Sequence, residues 1–478
     1  MGTQLHSIVA FLCAIAFGTS PALADSPAAW RVVGEGIVWE SAHPKRPGDT
    51  RNFPTQLKIS FDQQVGEAQI EFHDTQDTSS PPTVFYWRRG RLFQSNSANE
   101  DLPAEGYNDL SPPAIALIHS SLLAAYLQER PENNASSFGT QAENVKGSAW
   151  LAIGDTLWRV QSATQESTEG NRSIRSLTRA VHNDVHGMMF ERIEYTGKSV
   201  TVTRSRSPDG ESNRTVAKFE FQSSDTIDRY RAPQGDPRRD ATMVIAPEAF
   251  QFRDLGGGLF VCELAQANAR VFVVEFEEEL LVFEGIYSSR NAEAMAEAVH
   301  KRFGKPVSHF AFSHIHPQYL AGVRAWAAQG ATILIPPTSV PSVTDTLGAR
   351  FDLRPDAWSE RKGNQPRIET VAERWSREDA SASVVIINDP KSDHTDEYFL
   401  VYMPRTRTLL TGDLLFFRPG QPLRNRSLTL ARYVREIGLE VERCITTWPL
   451  EWPGRNELSG DELRAAAQAG EEADPTKK

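Results

Sequence analysis

Residues 310–335 constrain the fold more than any other stretch. Phe310-Ala311-Phe312 is an apolar run that reads as the end of a strand. Ser313-His314-Ile315-His316-Pro317 follows as a turn, and Leu320, Val323, Trp326 and Ala327 then recur at the 3–4 spacing of one helix face. Gly330 closes that helix, and Ala331-Thr332-Ile333-Leu334-Ile335 reads as the next strand. The unit is alternating β and α structure. It sets two histidines two residues apart in a strand-to-helix turn, where both imidazoles can converge on one point.

The same alternation runs from about residue 241 to 455. Strand-like runs at 259–264, 271–276 and 280–283 lead to a helix over 292–303, and strands and helices then alternate. The polar segment 338–380 has weak periodicity and reads as a lid or an elaborated crossover. Gly256-Gly257-Gly258 reads as a turn between early strands, and Glu277-Glu278-Glu279 as a solvated hairpin tip. Ahead of this region the pattern differs. Residues 56–61, 67–72, 83–87, 156–160, 189–195, 199–204 and 216–221 alternate apolar and polar side chains, the mark of half-buried antiparallel strands. One helix interrupts them, with Ser111 as its cap, Pro112 at its first position, and Ile115, Ile118, Leu122 and Ala125 on one face. That makes a β-rich α+β domain over 25–235, joined by a linker over 234–240. His119, His182 and His186 are scattered in it and form no constellation. Residues 456–478 read as a polar tail, disordered at its end.

Several motifs around the histidines occur in a recognisable order. Leu281-Val282-Phe283-Glu284-Gly285 is a strand ending in an acid. Lys305-Pro306-Val307-Ser308-His309-Phe310 leads into Ser313-His314-Ile315-His316-Pro317-Gln318-Tyr319-Leu320-Ala321-Gly322. Lys391-Ser392-Asp393-His394-Thr395-Asp396 precedes an apolar strand, and Leu409-Leu410-Thr411-Gly412-Asp413-Leu414-Leu415-Phe416 follows it. Arg443-Cys444-Ile445-Thr446-Thr447-Trp448-Pro449 closes the series. This set, over roughly residues 245–455, resembles the metallo-β-lactamase superfamily.

The resemblance implies an α/β fold: an αββα metallo-β-lactamase-like sandwich preceded by the β-rich α+β domain. It also implies His314, His316 and His394 as three neutral imidazoles on one zinc, an open set with water in the fourth position. The second metal position is dismantled, because Gln318, Tyr319 and Trp448 stand where an Asp and two His belong. Only Asp413 remains of it. The expected cofactor is therefore a single zinc ion. Asp413 is expected to hold the bound water or a ligating imidazole, and Tyr319 to donate to a developing oxyanion. Two functions follow. One is a mononuclear zinc-dependent hydrolase of an ester, amide or phosphoester. The alternative is a pseudoenzyme, a periplasmic binding or scaffold protein without turnover.

Composition narrows partners. A formal net charge of -11 argues against sequence-independent binding to nucleic acid or anionic lipid, which needs a basic surface. Residues 8–17 form an apolar run too short to span a bilayer, followed by Ala22-Leu23-Ala24. Residues 1–24 thus read as a signal peptide, Asp25 as the mature start, and the destination as secreted, in the periplasm. No other segment reads as a membrane span, and the expected partner is a small-molecule substrate or ligand. Cys262 and Cys444 both fall in expected strands, as a disulfide or as two buried thiols.

Overall fold

The computed structural model describes residues 29–40, 51–62, 67–75, 83–88, 91–95, 101–103, 151–153, 156–167, 170–183, 187–196, 199–206 and 214–227. From 245 to 472 it describes all but 265–268, 286–288, 353–354, 362, 364, 391, 393, 416, 418–421, 424 and 449–456. The expected signal peptide, the helix beginning at Pro112, the linker 234–240 and residues 473–478 lie outside the described residues. Two compact units emerge, built mainly from residues 1–243 and 244–478.

The first unit contains a 12-stranded antiparallel sheet. Its first strand, β1 (Ala29–Glu40), and its last, β12 (Arg214–Ile227), pair at the centre. Strands after β1 step outward in order to β6 (Asp101–Pro103), and those before β12 step outward to β7 (Leu151–Ile153) on the other side. Every alternating run named above falls within one of these strands. Leu57, Ala180, Val202 and Phe219 are fully buried, which explains the apolar half of the alternation. Gly36 sits opposite Phe219, and a Cβ there would come within 2.7 Å of the Phe219 ring. Glu191, also buried, pairs across strands with Arg204 at 3.1 Å.

The second unit packs two sheets face to face. The first runs β13 (Phe252–Gly256), β14 (Leu259–Leu264), β15 (Ala269–Glu275), β16 (Leu280–Phe283), β17 (Val307–Ala311), β18 (Thr332–Ile335) and β19 (Arg367–Thr370). β13 to β16 are antiparallel hairpins, and β16 to β19 are parallel. Parallel neighbours need crossovers, and the helices supply them: α1 (Ser289–Phe303), α2 (Pro317–Leu320), α3 (Val323–Ala328), α4 (Val340–Gly348) and α5 (Ala357–Glu360). The second sheet runs β20 (Arg374–Glu378), β21 (Ser383–Asp389), β22 (Tyr398–Met403), β23 (Thr408–Leu410), β24 (Arg443–Ile445) and β25 (Glu457–Ser459). Here β23 and β24 are the parallel pair, linked through α6 (Asn425–Glu436), and α7 (Gly460–Glu472) ends the described chain.

Alternation along the strands sorts the core into layers. Leu259, Val261, Phe272, Val274, Leu281, Phe283 and Leu334 of the first sheet meet Val384, Ile386, Phe399, Val401, Leu410 and Ile445 of the second. The intervening residues of the first sheet face helices: Phe310 stacks on Trp326 of α3 at 5.9 Å, and Phe260 meets Phe303 of α1 edge-on at 5.0 Å. The outer face of the second sheet, with Leu400, Leu409, Cys444 and Leu458, packs on Leu430 and Val434 of α6 and Leu463, Ala466 and Ala467 of α7. The result is helix, sheet, sheet, helix. Strands covered on both faces read as near-continuous apolar runs, which is how β14 to β16 appear in the sequence.

One expectation needs adjustment, and one open alternative resolves to the elaborated crossover. Residues 457–472 are not tail: β25 pairs with β24, and Leu463, Ala466, Ala467 and Gly470 bring one face of α7 into the core. Alanine and glycine carry little apolar weight in composition, yet their 3–4 spacing makes a packing face. The polar stretch 338–380 is built into the fold as α4, α5 and two edge strands, β19 and β20, whose mostly polar residues match their exposure.

Candidate metal centre

Four parallel strands deliver the polar side chains of this centre from their carboxyl ends. Glu284 follows β16, Ser313 and His314 follow β17, Thr411-Gly412-Asp413 follows β23, and Thr447 follows β24. Carboxyl ends of strands are where α/β sheets leave room for a ligand. A fifth contributor, His394, comes from the loop just ahead of β22.

Glu284 ties three of these ends together. It is fully buried, and its Oε2 accepts the Ser313 N–H at 3.2 Å while Oε1 accepts the Thr447 hydroxyl at 3.3 Å. Burial pushes its carboxyl from 4.5 up to about 8, against the opposing pull of the Ser313 hydrogen bonds. It adopts a left-handed φ of 77°, and Gly285 follows, where a Cβ would lie 2.5 Å from the Tyr319 carbonyl oxygen. Glycine there lets β16 end against the turn that carries the histidines.

Tyr398 and Gly412 form a second brace. Gly412 has φ 57°, and a Cβ on it would meet the Tyr398 hydroxyl at 2.0 Å and Ser313 Cβ at 2.8 Å. The Tyr398 hydroxyl accepts the Asp413 N–H at 2.9 Å and donates to Asp413 Oδ1 at 3.0 Å. Its ring stacks on His314 at 5.0 Å. Burial, reinforced by the Asp413 and Glu284 charges, pushes the phenol well above 10, so it stays a donor.

His314 is fully buried, with Nδ1 3.0 Å from Ser313 Oγ and 4.0 Å from Asp413 Oδ1. Its Nε2 is buried with no hydrogen-bond partner among the described residues. Burial drives its pKa well below 6.5, so the ring is neutral and keeps a lone pair. His394 places Nε2 3.4 Å from Asp413 Oδ2, and its ring lies 4.8 Å from that of His314. Burial opposes ionisation of Asp413, but the His314 and His394 imidazoles and the Arg426 guanidinium outweigh it, so the carboxyl is held well below 3.8. Arg426, in the first turn of α6, sets Nη1 3.2 Å from His394 Nδ1 and 3.7 Å from Asp413 Oδ2.

The structure thus brings together His314, His394 and Asp413, whose ligand atoms all lie within 4.8 Å of one another. His316 falls outside that group, its ring 5.8 Å from that of His314. The His316 carbonyl starts α2 by accepting from the N–H groups of Tyr319 and Leu320, both at 3.0 Å. Tyr319 is buried beside both histidines, 5.3 Å from the His314 ring and 5.7 Å from that of His316. The Gln318 side chain lies outside the described residues, and Trp448 follows β24 half-buried. Two nitrogens and an ionised carboxylate, one nitrogen buried without a partner, fit a divalent ion.

Sequence reasoning missed Arg426, Tyr398 and Thr447 as site residues. Tyr398 reads only as the first residue of an apolar strand. Arg426 stands on a helix with no motif around it, and nothing in its neighbours points to Asp413.

No protein-family model matches the chain, and no curated protein sequence matches it. Among solved structures, the metallo-β-lactamase from Pontibacter korlensis is 12% identical, with a TM-score of 0.36 over 46% of this chain and 99% of that one. The metallo-β-lactamase FIM-1 from Pseudomonas aeruginosa, solved in its mono-zinc form, is 17% identical, with a TM-score of 0.34 over 47% of this chain and 96% of that one. The four layers, the mixed strand order within each sheet and the histidine turn at the carboxyl end of β17 give the second unit the metallo-β-lactamase fold.

Proposed function

We propose that the second unit is a mononuclear zinc-dependent hydrolase of an ester, amide or phosphoester, in a protein exported to the periplasm. The observation that supports this reading most is the buried His314, His394 and Asp413 group on strand ends, with an unpartnered nitrogen on His314. A zinc ion bound there would supply a Lewis acid and a water whose pKa falls to about 7. His314, neutral through burial, offers a lone pair without first losing a proton. His316 is the third imidazole of the proposed set. Asp413, ionised and braced by Tyr398, accepts a hydrogen bond from the nucleophile and so orients it. Tyr319 is assigned to donate to the oxyanion that forms on the substrate.

One observation favours a second reading, a binding domain without turnover. Arg426 keeps a permanent cation against His394 and Asp413. Elemental analysis of gently purified protein separates the two. One equivalent of zinc per chain, lost in His314→Ala, with turnover of an activated ester or phosphodiester, is the expected result. No zinc after incubation with excess metal would transfer the domain to the binding reading, and two equivalents would refute the ligand assignment.

A further inference from the structure

Arg426 is the one permanent cation recorded in contact with His394 and Asp413 among the described residues, and its geometry has a chemical consequence. A guanidinium has five N–H donors and no acceptor, and it does not lose its proton in a protein. At 3.2 Å, Arg426 Nη1 must therefore donate, and His394 Nδ1 must accept with its lone pair. A neutral imidazole carries one proton, so in this arrangement it sits on Nε2. That is the nitrogen facing Asp413 Oδ2 at 3.4 Å, within ion-pair distance but outside hydrogen-bond geometry. Neither nitrogen of His394 then has a free lone pair. Asp413 is engaged too, with Arg426 Nη1 3.7 Å from the same Oδ2.

We propose that Arg426 is a resident cation that competes with the metal for His394 and Asp413, so that metal entry displaces Arg426 and moves the His394 proton from Nε2 to Nδ1. The position of Arg426 suits displacement: it stands in the first turn of α6, its side chain about a quarter exposed, so the guanidinium can swing to solvent without unpacking the helix. Ser427, beside it, donates its hydroxyl to the Leu414 carbonyl at 2.9 Å and keeps the helix start fixed when Arg426 leaves. Loading the metal is then a cation exchange, in which one positive charge leaves the carboxylate as another arrives. Arg426 acts here as a positioning residue, setting which nitrogen of His394 holds the proton.

The inference rests on the proposed zinc site of His314, His316 and His394, with the Asp413 carboxylate beside it. The test is zinc titration of the full chain, wild type against Arg426→Gln, with Arg426→Lys and Arg426→Met alongside and folding checked by thermal melting. Arg426→Gln and Arg426→Met should bind one zinc at least tenfold more tightly than wild type. Arg426→Lys, which keeps the charge, should stay near wild type. Equal affinity in wild type and Arg426→Gln overturns the competition and leaves the hydrolase reading intact. Binding by Arg426→Gln alone upholds the competition and removes zinc catalysis from the wild type. Binding by neither overturns both. A second measurement needs no variant: long-range 1H–15N imidazole spectra of the zinc-free protein should place the His394 proton on Nε2. A proton on Nδ1 would sink the proposal whatever the titrations show.

Discussion

Two buried residues decide whether the centre keeps its shape, and each yields a measurable consequence. Glu284 has a carboxyl raised from 4.5 to about 8, chiefly by burial. Between those values the folded chain holds a proton there that the unfolded chain has released. By linkage, this contribution to stability is complete below pH 4.5 and is lost as pH rises through about 8. In Glu284→Gln, an isosteric neutral side chain, the decline in melting temperature from pH 5 to pH 8 should be smaller than in wild type. Parallel profiles for the two proteins would show that Glu284 is not the group responsible. Tyr398→Phe leaves the Asp413 N–H without its acceptor and removes one donor from Oδ1. The cost should be about 1–3 kcal/mol by urea denaturation, the usual penalty for a buried group left unpaired. Zinc binding should weaken in the same variant, since Asp413 loses the hydroxyl that braces it.

At the scale of elements, the crossover after β18 depends on one buried cation. Arg324 of α3 is 1% exposed, and donates to Asp356 through Nε at 2.6 Å and Nη2 at 2.8 Å. Its Nη1 reaches the carbonyls of Thr346, Leu347 and Ala349 at 3.0, 3.2 and 3.1 Å, which closes the carboxyl end of α4. Asp356 in turn caps α5 by accepting the Ser359 N–H at 2.9 Å. Burial works against the Asp356 charge, but the hydrogen bond and charge of Arg324 outweigh it, so its pKa is lowered. Arg324→Met should strand a buried carboxylate and three carbonyls, costing about 3–5 kcal/mol. A urea midpoint unchanged from wild type would mean that this crossover contributes nothing to the stability of the unit. None of this network was legible from residues 338–380, whose weak periodicity hides it. Short helices hold themselves by caps and carbonyl contacts, and these leave no periodic trace.

At the scale of the whole molecule, the layers also settle the cysteines. Cys262 alternates with Val261, which faces the core between the sheets, so Cys262 faces the helices over the first sheet. Cys444 packs against α6 and α7 on the outer side of the second sheet. Two sheet layers about 10 Å apart separate them, beyond the reach of a disulfide. Burial pushes both thiols up to about 12, so neither is a thiolate at neutral pH. Cys262 and Cys444 should therefore not react with a thiol reagent while the protein is native, and both should react after denaturation, as read by mapping the labelled peptides. A native disulfide would contradict the layer assignment. Sequence alone determined the strand and helix alternation, the motif order and the positions of His314, His394 and Asp413. Those follow from local periodicity and turn residues, which each stretch of chain carries by itself. Tertiary structure decided what those residues touch. Only pairing β23 with β24 and docking α6 brings Arg426 to His394 across 32 positions, and only the end of β24 carries Thr447 to Glu284 across 163. Such contacts depend on how sheets and helices stack, and no short window of sequence contains both partners.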